Sequence, residues 1–304
     1  MGPLSIDPLS IKPLLMLMLF ATIVWGVSGC HQPASNEEKA LRIAFIGDAE
    51  PKPLAEFPNM AEAVHRINQM HGEHPFDLVI GVGDIAHKGT LVQYEAATAV
   101  LTQLQPPFYP IMGNEEHDQS TERYLSYISK WNSPADTTKY TLEYDHVALI
   151  FASPDFGRDF SDEGAGWILE ELRRIAPKPA LLIVHAAQAG AYPENPEKGV
   201  MNESFRNEVI TQPNLSAVIS GDLHMDMDRV QHSKKIGSVH YLHIPALERT
   251  KIPDETHHRP MVRVMTIQAS GAVAVDTYAL DTPEAPLTEH AYTFQLQPAA
   301  SPSP

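Results

Sequence analysis

The chain has 304 residues, of which 43% are apolar and 20% are charged, and its formal net charge is −16. This composition is typical of a globular protein with enough apolar residues for a large core. The acidic charge argues against non-specific nucleic-acid binding, because such binding uses Lys and Arg to neutralise phosphates. With one cysteine, Cys30, the chain has no internal disulfide framework.

The N-terminal segment has the features of a targeting signal. Residues 14–27 form an uncharged, mostly apolar run that is short for a membrane span and right for a signal peptide. The run ends in Val27-Ser28-Gly29-Cys30, which resembles the lipobox of bacterial lipoproteins, in which the cysteine is acylated and becomes the mature N-terminus. An uncleaved anchor and an ordinary secretory signal are the alternatives.

The lipobox resemblance implies a lipoprotein signal peptide at residues 1–29 and a polar tether at residues 30–40. It also implies a protein anchored to a membrane through acylated Cys30, because several acyl chains give stable anchoring where one does not. Its expected place is the bacterial cell envelope, outside the cytoplasm, either in the periplasm or at the cell surface.

Apolar runs alternate with segments of helical spacing through the next part of the chain. The predicted strands are residues 41–46, 77–80 and 107–111, and the predicted helices are residues 58–70, 91–104 and 120–131. In the second helix, Val92, Ala96, Ala99 and Val100 are expected to form the buried face. This β-α-β-α-β-α order is typical of a mostly parallel sheet.

The rhythm then changes. Strands are predicted at residues 140–144, 147–152, 180–184 and 215–219, and helices at residues 163–175 and 204–210. Three further strands, at residues 239–243, 261–266 and 272–278, look antiparallel. The domain is therefore expected at residues 41–290, with a disordered C-terminal tail at residues 291–304 whose end is of low complexity.

Five predicted strands stop at polar residues of a metal-binding type. These residues are Asp48 and Glu50, Asp84, Asn114, His185, and Asp222 and His224. They can converge, because strands of one sheet deliver their carboxyl ends to a common edge. A cluster of oxygen and imidazole ligands with one shared carboxylate suits a pair of divalent cations. A single strand-Gly-Asp sequence is also an ordinary turn, so the prediction rests on the recurrence of the pattern.

The order and spacing of these residues resemble the calcineurin-like metallophosphoesterases over about residues 41–224. The family pattern is Asp-x-His, Gly-Asp, Gly-Asn-His-Asp/Glu, a lone His and Gly-His-x-His. The matching segments here are Asp48-Ala49-Glu50, Gly83-Asp84, Gly113-Asn114-Glu115-Glu116, His185 and Gly221-Asp222-Leu223-His224. The resemblance implies an α/β fold, namely a layered αββα sandwich of two mixed β-sheets flanked by helices.

The resemblance also implies roles for these residues at two metal ions. Asp84 would bridge both ions. Asp48, Glu50 and His224 would complete the site of one ion. Asn114, His185 and Asp222 would complete the site of the other. Attack on phosphorus would come from a hydroxide that bridges the two metals, without a covalent enzyme intermediate.

Three positions depart from the family pattern. Glu50 and Asp222 replace ligand histidines, and as acidic residues they can still coordinate a metal. Glu115 stands where the family has its catalytic histidine. Alternatively, Glu115 and Glu116 form a two-residue insertion, and His117 is then the general acid, since a histidine of near-neutral pKa suits proton donation. His117 can equally be an exposed loop histidine.

The acidic replacements affect the expected metal and substrate. Asp48, Glu50, Asp84 and Asp222 bring about four negative charges against about four positive charges from two divalent ions. Oxygen ligands favour Mn²⁺ or Fe, with Mg²⁺ and Zn²⁺ as alternatives. The sequence thus predicts a preference for a less charged diester, or for a trivalent ion that restores the positive excess.

The predicted function is therefore metal-dependent hydrolysis of a small phosphate mono- or diester. The main alternative is a binding or structural lipoprotein on the same fold, in which the substitutions removed the activity. A hydrolase acting on a non-phosphate ester is a weaker alternative. The sequence contains neither a Gly-x-Ser-x-Gly elbow nor a P-loop, so serine hydrolases and nucleotide triphosphatases lack motif support.

Overall fold

The computed structural model describes Gly2, residues 39–282 and residues 284–298. The chain divides into two units, Met1–Glu37 and Glu38–Pro304, and apart from Gly2 the described residues belong to the second unit. Cys30, the rest of the predicted signal peptide and the tether up to residue 38 lie outside the described residues. No helix among the described residues combines the length and the apolar character that a membrane crossing requires.

The described residues form twelve strands and five α-helices. The strands are β1 (Leu41–Ile46), β2 (Leu78–Gly81), β3 (Phe108–Pro110), β4 (Lys139–Glu143), β5 (Ala148–Ala152), β6 (Ala180–Val184), β7 (Leu215–Ser220), β8 (Ser233–Ile236), β9 (Val239–His243), β10 (Met261–Ile267), β11 (Ala272–Ala279) and β12 (Tyr292–Gln295). The helices are α1 (Pro58–Glu73), α2 (Leu91–Leu101), α3 (Thr121–Ile128), α4 (Asp162–Ile175) and α5 (Glu203–Asn207).

The strands form two six-stranded sheets, each of which is mixed. The first sheet has the order β12-β11-β10-β1-β2-β3, and the second has the order β4-β5-β6-β7-β9-β8. In the first sheet, β1 pairs parallel to β2 and antiparallel to β10. In the second sheet, β6 pairs parallel to β5 and to β7. The predicted metal ligands follow β1, β2 and β3 of the first sheet and β6 and β7 of the second, and each of these strands pairs parallel to a neighbour.

Side-chain alternation explains why the two sheets pack together. In β1, Ile43 and Phe45 belong to the apolar cluster that the two sheets share, whereas Ala44 and Ile46 face helices. Helices α1, α2 and α3 cover the outer face of the first sheet, and α4 and α5 cover that of the second. The predicted αββα sandwich of two mixed sheets flanked by helices is therefore confirmed.

The buried face of α2 differs from the prediction. Gln93, Tyr94, Ala97 and Leu101 are buried, whereas Val92 is 62% exposed. Ala99 is also exposed, and Ala96 and Val100 only pack at the margin of the core. The prediction was wrong because it counted only apolar residues. The aromatic ring of Tyr94, stacked on Tyr127 with ring centroids 4.7 Å apart, sets the orientation of the helix.

Two strands were missed by the sequence prediction. Strand β8 reads Ser-Lys-Lys-Ile and lies at the edge of its sheet, where polar residues are tolerated. Strand β12 lies within the segment predicted to be a disordered tail, so that prediction was wrong for residues 292–295. The side chains of Phe294 and Leu296 are buried, and the tail can begin only after them.

The contribution of β12 can be tested at Phe294, which is 8% exposed and stacks on His240 with ring centroids 4.4 Å apart. We expect Phe294→Ala to lower the free energy of unfolding by about 3 kcal/mol, because it removes a buried ring and leaves a cavity. The neighbouring Thr293 is exposed, so Thr293→Ala should change the free energy of unfolding by less than about 0.5 kcal/mol. Urea unfolding of both variants gives the comparison, and equal small effects would contradict a packed C-terminal strand.

Candidate metal centre

The carboxyl ends of five strands bring the predicted ligands to one region. Asp48 and Glu50 follow β1, Asp84 follows β2, Asn114 follows β3, His185 follows β6, and Asp222 and His224 follow β7. All except Asn114 are buried, with exposures of 2% or less. Backbone hydrogen bonds hold these loops together, among them Asp48 N–H to the Gly83 carbonyl at 3.1 Å and Gly221 N–H to the His185 carbonyl at 2.9 Å.

Four of these residues have left-handed backbone conformations. The φ angles are +47° at Asp48, +51° at Asp84, +65° at Asp222 and +51° at His224. A left-handed conformation costs an L-residue about 1–2 kcal/mol. Such residues persist only where the surrounding structure fixes them, and they concentrate at functional sites. The left-handed conformations therefore destabilise the folded backbone at these strand ends, and they direct the side chains into the site.

Two glycines make room for the carboxylates. A side chain at Gly113 would overlap the carboxylate of Asp84, and a side chain at Gly221 would overlap that of Asp48. The strand-Gly-Asp pattern in the sequence thus reflects close approach of backbone and carboxylate rather than an ordinary turn.

The first group of ligands consists of Asp48, Asp84 and His224. One donor atom from each lies within 4.8 Å of the other two. The Nδ1 of His224 donates to the carbonyl oxygen of Arg249 at 3.0 Å, which directs Nε2 towards the carboxylates. Among the described residues, this buried Nε2 has no hydrogen-bond partner. Burial raises the pKa of Asp48 to about 6, and the neighbouring His224 opposes that shift. These residues fit a divalent metal ion.

The second group consists of Asn114, His185 and Asp222. The Nδ1 of His185 donates to the Val82 carbonyl at 2.8 Å. Its Nε2 lies 3.3 Å from Asn114 Oδ1, 3.4 Å from Asp84 Oδ1 and 3.7 Å from Asp222 Oδ1. Asp84 is therefore close to both groups. The structure brings these six predicted ligands together in two groups. The seventh, Glu50, lies 3.4 Å from His224 Nε2 through its Oε1, but its carboxylate groups with His87 and Glu115 and not with Asp48 and Asp84.

Five cations, which the sequence analysis did not identify, surround the two acidic replacements. Glu50 pairs with Arg249 at 2.6 Å, Lys52 at 2.7 Å and Lys251 at 3.4 Å. Burial opposes ionisation of Glu50, but contacts with His224, Lys52 and Lys251 keep its pKa below the usual value. A buried acid in place of a neutral histidine needs a counter-charge, and that requirement is the signal that could have predicted cations here.

Asp222 pairs with the other two cations. The Nε of Arg158 lies 3.1 and 3.2 Å from the two carboxylate oxygens, and Lys198 Nζ lies 3.2 Å from one of them. Burial would raise the pKa of Asp222, but His185, Lys198 and Arg158 together keep it below the usual value. Both acidic replacements thus form ion pairs with cations of the chain itself.

The two candidates for the catalytic position lie in different places. The Glu115 carboxylate accepts from His87 Nδ1 at 2.6 Å and lies 3.3 Å from Lys52 Nζ, so it borders the site. His117 is only half-buried, and its Nε2 donates to the Pro154 carbonyl at 2.9 Å. Burial lowers the pKa of His117. Among the described contacts of His117, none is a hydrogen bond to a predicted ligand, so this placement does not favour it as the general acid.

Glu116 has a structural role that the sequence analysis missed. Its Oε1 accepts from the N–H groups of Ile85 and Ala86, both at 2.8 Å. Its Oε2 accepts from those of Asp84 at 3.0 Å and Gly113 at 2.7 Å. One buried carboxylate thus satisfies four backbone donors and fixes the Asp84 loop against the loop that follows β3.

We expect Glu116→Gln to lower the free energy of unfolding by about 2–4 kcal/mol, because the amide nitrogen cannot accept from two of the four buried N–H groups. Glu95 is exposed on α2, and Glu95→Gln should have an effect below about 0.5 kcal/mol. Chemical unfolding of the two variants checks this. If both variants were as stable as the parent chain, Glu116 would not organise the loop.

Comparison with known proteins agrees with this geometry. Residues 41–226 match the family model of the calcineurin-like phosphoesterases. A probable glycerophosphodiester phosphodiesterase GpdQ of Arcobacter nitrofigilis is 26% identical over 113 residues, which are 36% of this chain and 41% of that protein. The chain thus matches less than half of the length of this relative.

Three solved structures share the fold at low identity. Purple acid phosphatase PPD1 from yellow lupin (Lupinus luteus) seeds is 14% identical, with a TM-score of 0.62 over 84% of this chain and 54% of that chain. A dimetal phosphatase from Danio rerio is 11% identical, with a TM-score of 0.60 over 84% and 99%. GAP50, the anchor in the inner membrane complex of Plasmodium, is 12% identical, with a TM-score of 0.59 over 86% and 90%. With the family match over most of the described domain, the chain belongs to the calcineurin-like phosphoesterase family.

Proposed function

We propose that this protein is a metal-dependent phosphoesterase that hydrolyses a phosphate mono- or diester. The observation that carries the proposal is the buried group of Asp48, Asp84 and His224, with a histidine Nε2 that is aimed at the carboxylates and makes no hydrogen bond to any residue that the structure describes. A divalent ion held there would act as a Lewis acid towards water and the phosphoryl group. The oxygen-rich ligands favour Mn²⁺ or Fe, with Mg²⁺ or Zn²⁺ as alternatives.

The cations around the site would bind the substrate. The side chains of Lys52, Arg158, Lys198, Arg249 and Lys251 are between 25% and 33% exposed, whereas those of Glu50 and Asp222 are 1% exposed. The cations therefore lie between the buried carboxylates and solvent. An anion entering the site meets them first, and they can hold phosphate oxygens by charge-assisted hydrogen bonds.

These cations change the charge balance on which the predicted diester preference was based. Five cations of the chain pair with Glu50 and Asp222, so metal ions are not the only positive charges that balance the acidic ligand positions. The charge argument therefore no longer selects a diester. Support for a diester comes instead from the GpdQ relative, a probable glycerophosphodiester phosphodiesterase.

A groove beside Glu50 can receive the alcohol part of the substrate. It has a volume of about 280 Å³, and its lining combines apolar residues, among them Pro53 and Leu54, with charged residues of both signs, namely Glu50, Lys52, Glu56, Glu248 and Arg249. Leu54 is 61% exposed, so the groove opens to solvent. A small alcohol with both polar and apolar surface fits this lining.

We expect the full chain, supplied with Mn²⁺, to hydrolyse bis-p-nitrophenyl phosphate, and Asp84→Asn to lower kcat by more than about 100-fold by weakening metal binding. The assay is release of p-nitrophenol, alongside the same measurement with p-nitrophenyl phosphate. Asp145 lies in the exposed turn between β4 and β5, and Asp145→Asn is the control that should retain activity. Turnover that survives Asp84→Asn would contradict the proposed site.

A binding or structural role is the second candidate. It is favoured by the ion pairs of Glu50 and Asp222, which balance the acidic replacements without a metal ion, and by Glu115 at the position of the family's catalytic histidine. The structural neighbour GAP50 is described as an anchor. In this case the full chain shows no turnover with Mn²⁺, and Asp84→Asn changes only its stability.

The proposed location is the bacterial cell envelope, with the chain anchored through acylated Cys30. Support comes from the lipobox-like sequence that ends at this cysteine. We expect the full chain, expressed in bacteria fed an alkyne fatty acid, to take up the label, and Cys30→Ser to lose it completely. Ser28→Ala serves as the control and should keep the label. Unlabelled parent protein, or a label that persists in Cys30→Ser, would rule out this anchor.

A further inference from the structure

The guanidinium group of Arg158 lies among the ligands of the second group. Its Nε lies 3.1 and 3.2 Å from the two oxygens of Asp222, and its Nη2 donates to Asn114 Oδ1 at 2.9 Å. One side chain thus engages the oxygen ligands of two strand ends. A divalent ion at this position would need the same oxygen atoms.

The loop that carries Arg158 is built to hold it there. The loop joins β5 to α4 and closes with hydrogen bonds between Asp155 and Asp159 and between Asp159 and Phe156, each at 2.9 Å. The carboxylate of Asp159 accepts from the N–H groups of Met201 and Asn202, both at 3.1 Å. The loop is therefore bonded within itself and to the segment that precedes α5, so the backbone on both sides of Arg158 is held in place.

The charge of Asp222 also requires a nearby cation. Asp222 stands where the family pattern has a neutral histidine, and it is 2% exposed. A buried carboxylate is tolerated only when it is paired and hydrogen-bonded. Arg158 supplies this pairing together with Lys198, whose Nζ also lies 3.3 Å from the Asp222 carbonyl oxygen. The acidic replacement and the arginine are thus two parts of one arrangement.

The two groups of ligands differ in this respect. Among the described residues, Nε2 of His224 in the compact trio of Asp48, Asp84 and His224 has no hydrogen bond, whereas in the second group Asn114 and Asp222 are both bonded to Arg158. Glu50, which the resemblance assigns to the first ion, pairs with cations of the chain and is not part of the trio. We propose that Arg158 takes the place of the second metal ion of the family and that the centre holds a single divalent ion, at Asp48, Asp84 and His224. This inference rests on the proposed function, which supplies the first ion.

A guanidinium in this position differs from a metal ion in two ways. It carries a single positive charge that chelators cannot remove, and it presents planar donors that match a phosphate oxygen pair. The Arg158 side chain is 33% exposed, and its Nη1 takes no part in the bonds to Asp222 and Asn114. Arg158 can therefore bind a phosphate oxygen while it balances Asp222.

The test is the number and coupling of Mn²⁺ ions bound by the full chain after chelator treatment. Calorimetric titration should give about one ion for the parent chain, and its paramagnetic resonance spectrum should be that of an isolated Mn²⁺. The double variant Arg158→Ala, Lys198→Ala should bind about two ions with an exchange-coupled spectrum, because Asp222 and Asn114 are released. His224→Ala should lose the single ion of the parent.

Arg174→Ala is the control, since Arg174 pairs with Glu143 and Glu171 away from the site, and it should bind one ion like the parent. Two coupled ions in the parent chain, or one ion in the double variant, would overturn the inference. If the parent binds two ions and hydrolyses bis-p-nitrophenyl phosphate, only the inference fails. If it binds none and shows no hydrolysis, the proposed function fails as well.

Discussion

The structure depends on holding several carboxylates close together inside a protein core. Asp48, Glu50, Asp84 and Asp222 meet at the strand ends with almost no contact to solvent. Burying unpaired charges of one sign has a large free-energy penalty. The other features of the site reduce this penalty. Histidines are oriented by backbone carbonyls, backbone N–H groups point at the carboxylates, and cations close the cluster on the solvent side. The two sheets supply the rigid frame in which these contacts are made.

The frame itself follows from local patterns in the sequence. Strand β1 was predicted at its observed bounds because Leu41–Ile46 is a continuous apolar run followed by Gly47 and Asp48. Its neighbours alternate with helices of clear period, so a mostly parallel sheet and the convergence of the ligand positions at its edge were predictable. The sandwich of two sheets was predicted only from the resemblance to the calcineurin-like phosphoesterases. Strand β8 was not, because an edge strand made of Ser and Lys has no apolar signature. The buried face of α2 was not predictable from its weak apolar stripe either, because the face that is buried is the one that carries Tyr94.

The cations were beyond the reach of local reasoning. Arg249 is 199 residues from Glu50 in the chain, and Arg158 is 64 residues from Asp222. No spacing rule links residues so far apart, since only the folded loops bring them together. The sequence did imply that such cations exist. An acid at a ligand position that the family fills with histidine adds a buried negative charge, and a nearby cation must balance it. The role of Glu116 was also out of reach of local patterns, because its four backbone partners come from two separate loops.

The left-handed backbone at the strand ends also limits how this centre can change in evolution. Residues with φ near +60° are most often Gly, Asn, Asp or His, because branched and bulky residues are strained there. Position 222, at φ +65°, is open to Asp, Asn, His or Gly, and there the histidine of the family has become the shorter acid. Glu50 is not among the residues of positive φ, and there the replacement is the longer acid. The backbone conformation thus restricts which residue types can replace each ligand, independently of their metal chemistry. The permitted replacements differ from one ligand position to the next.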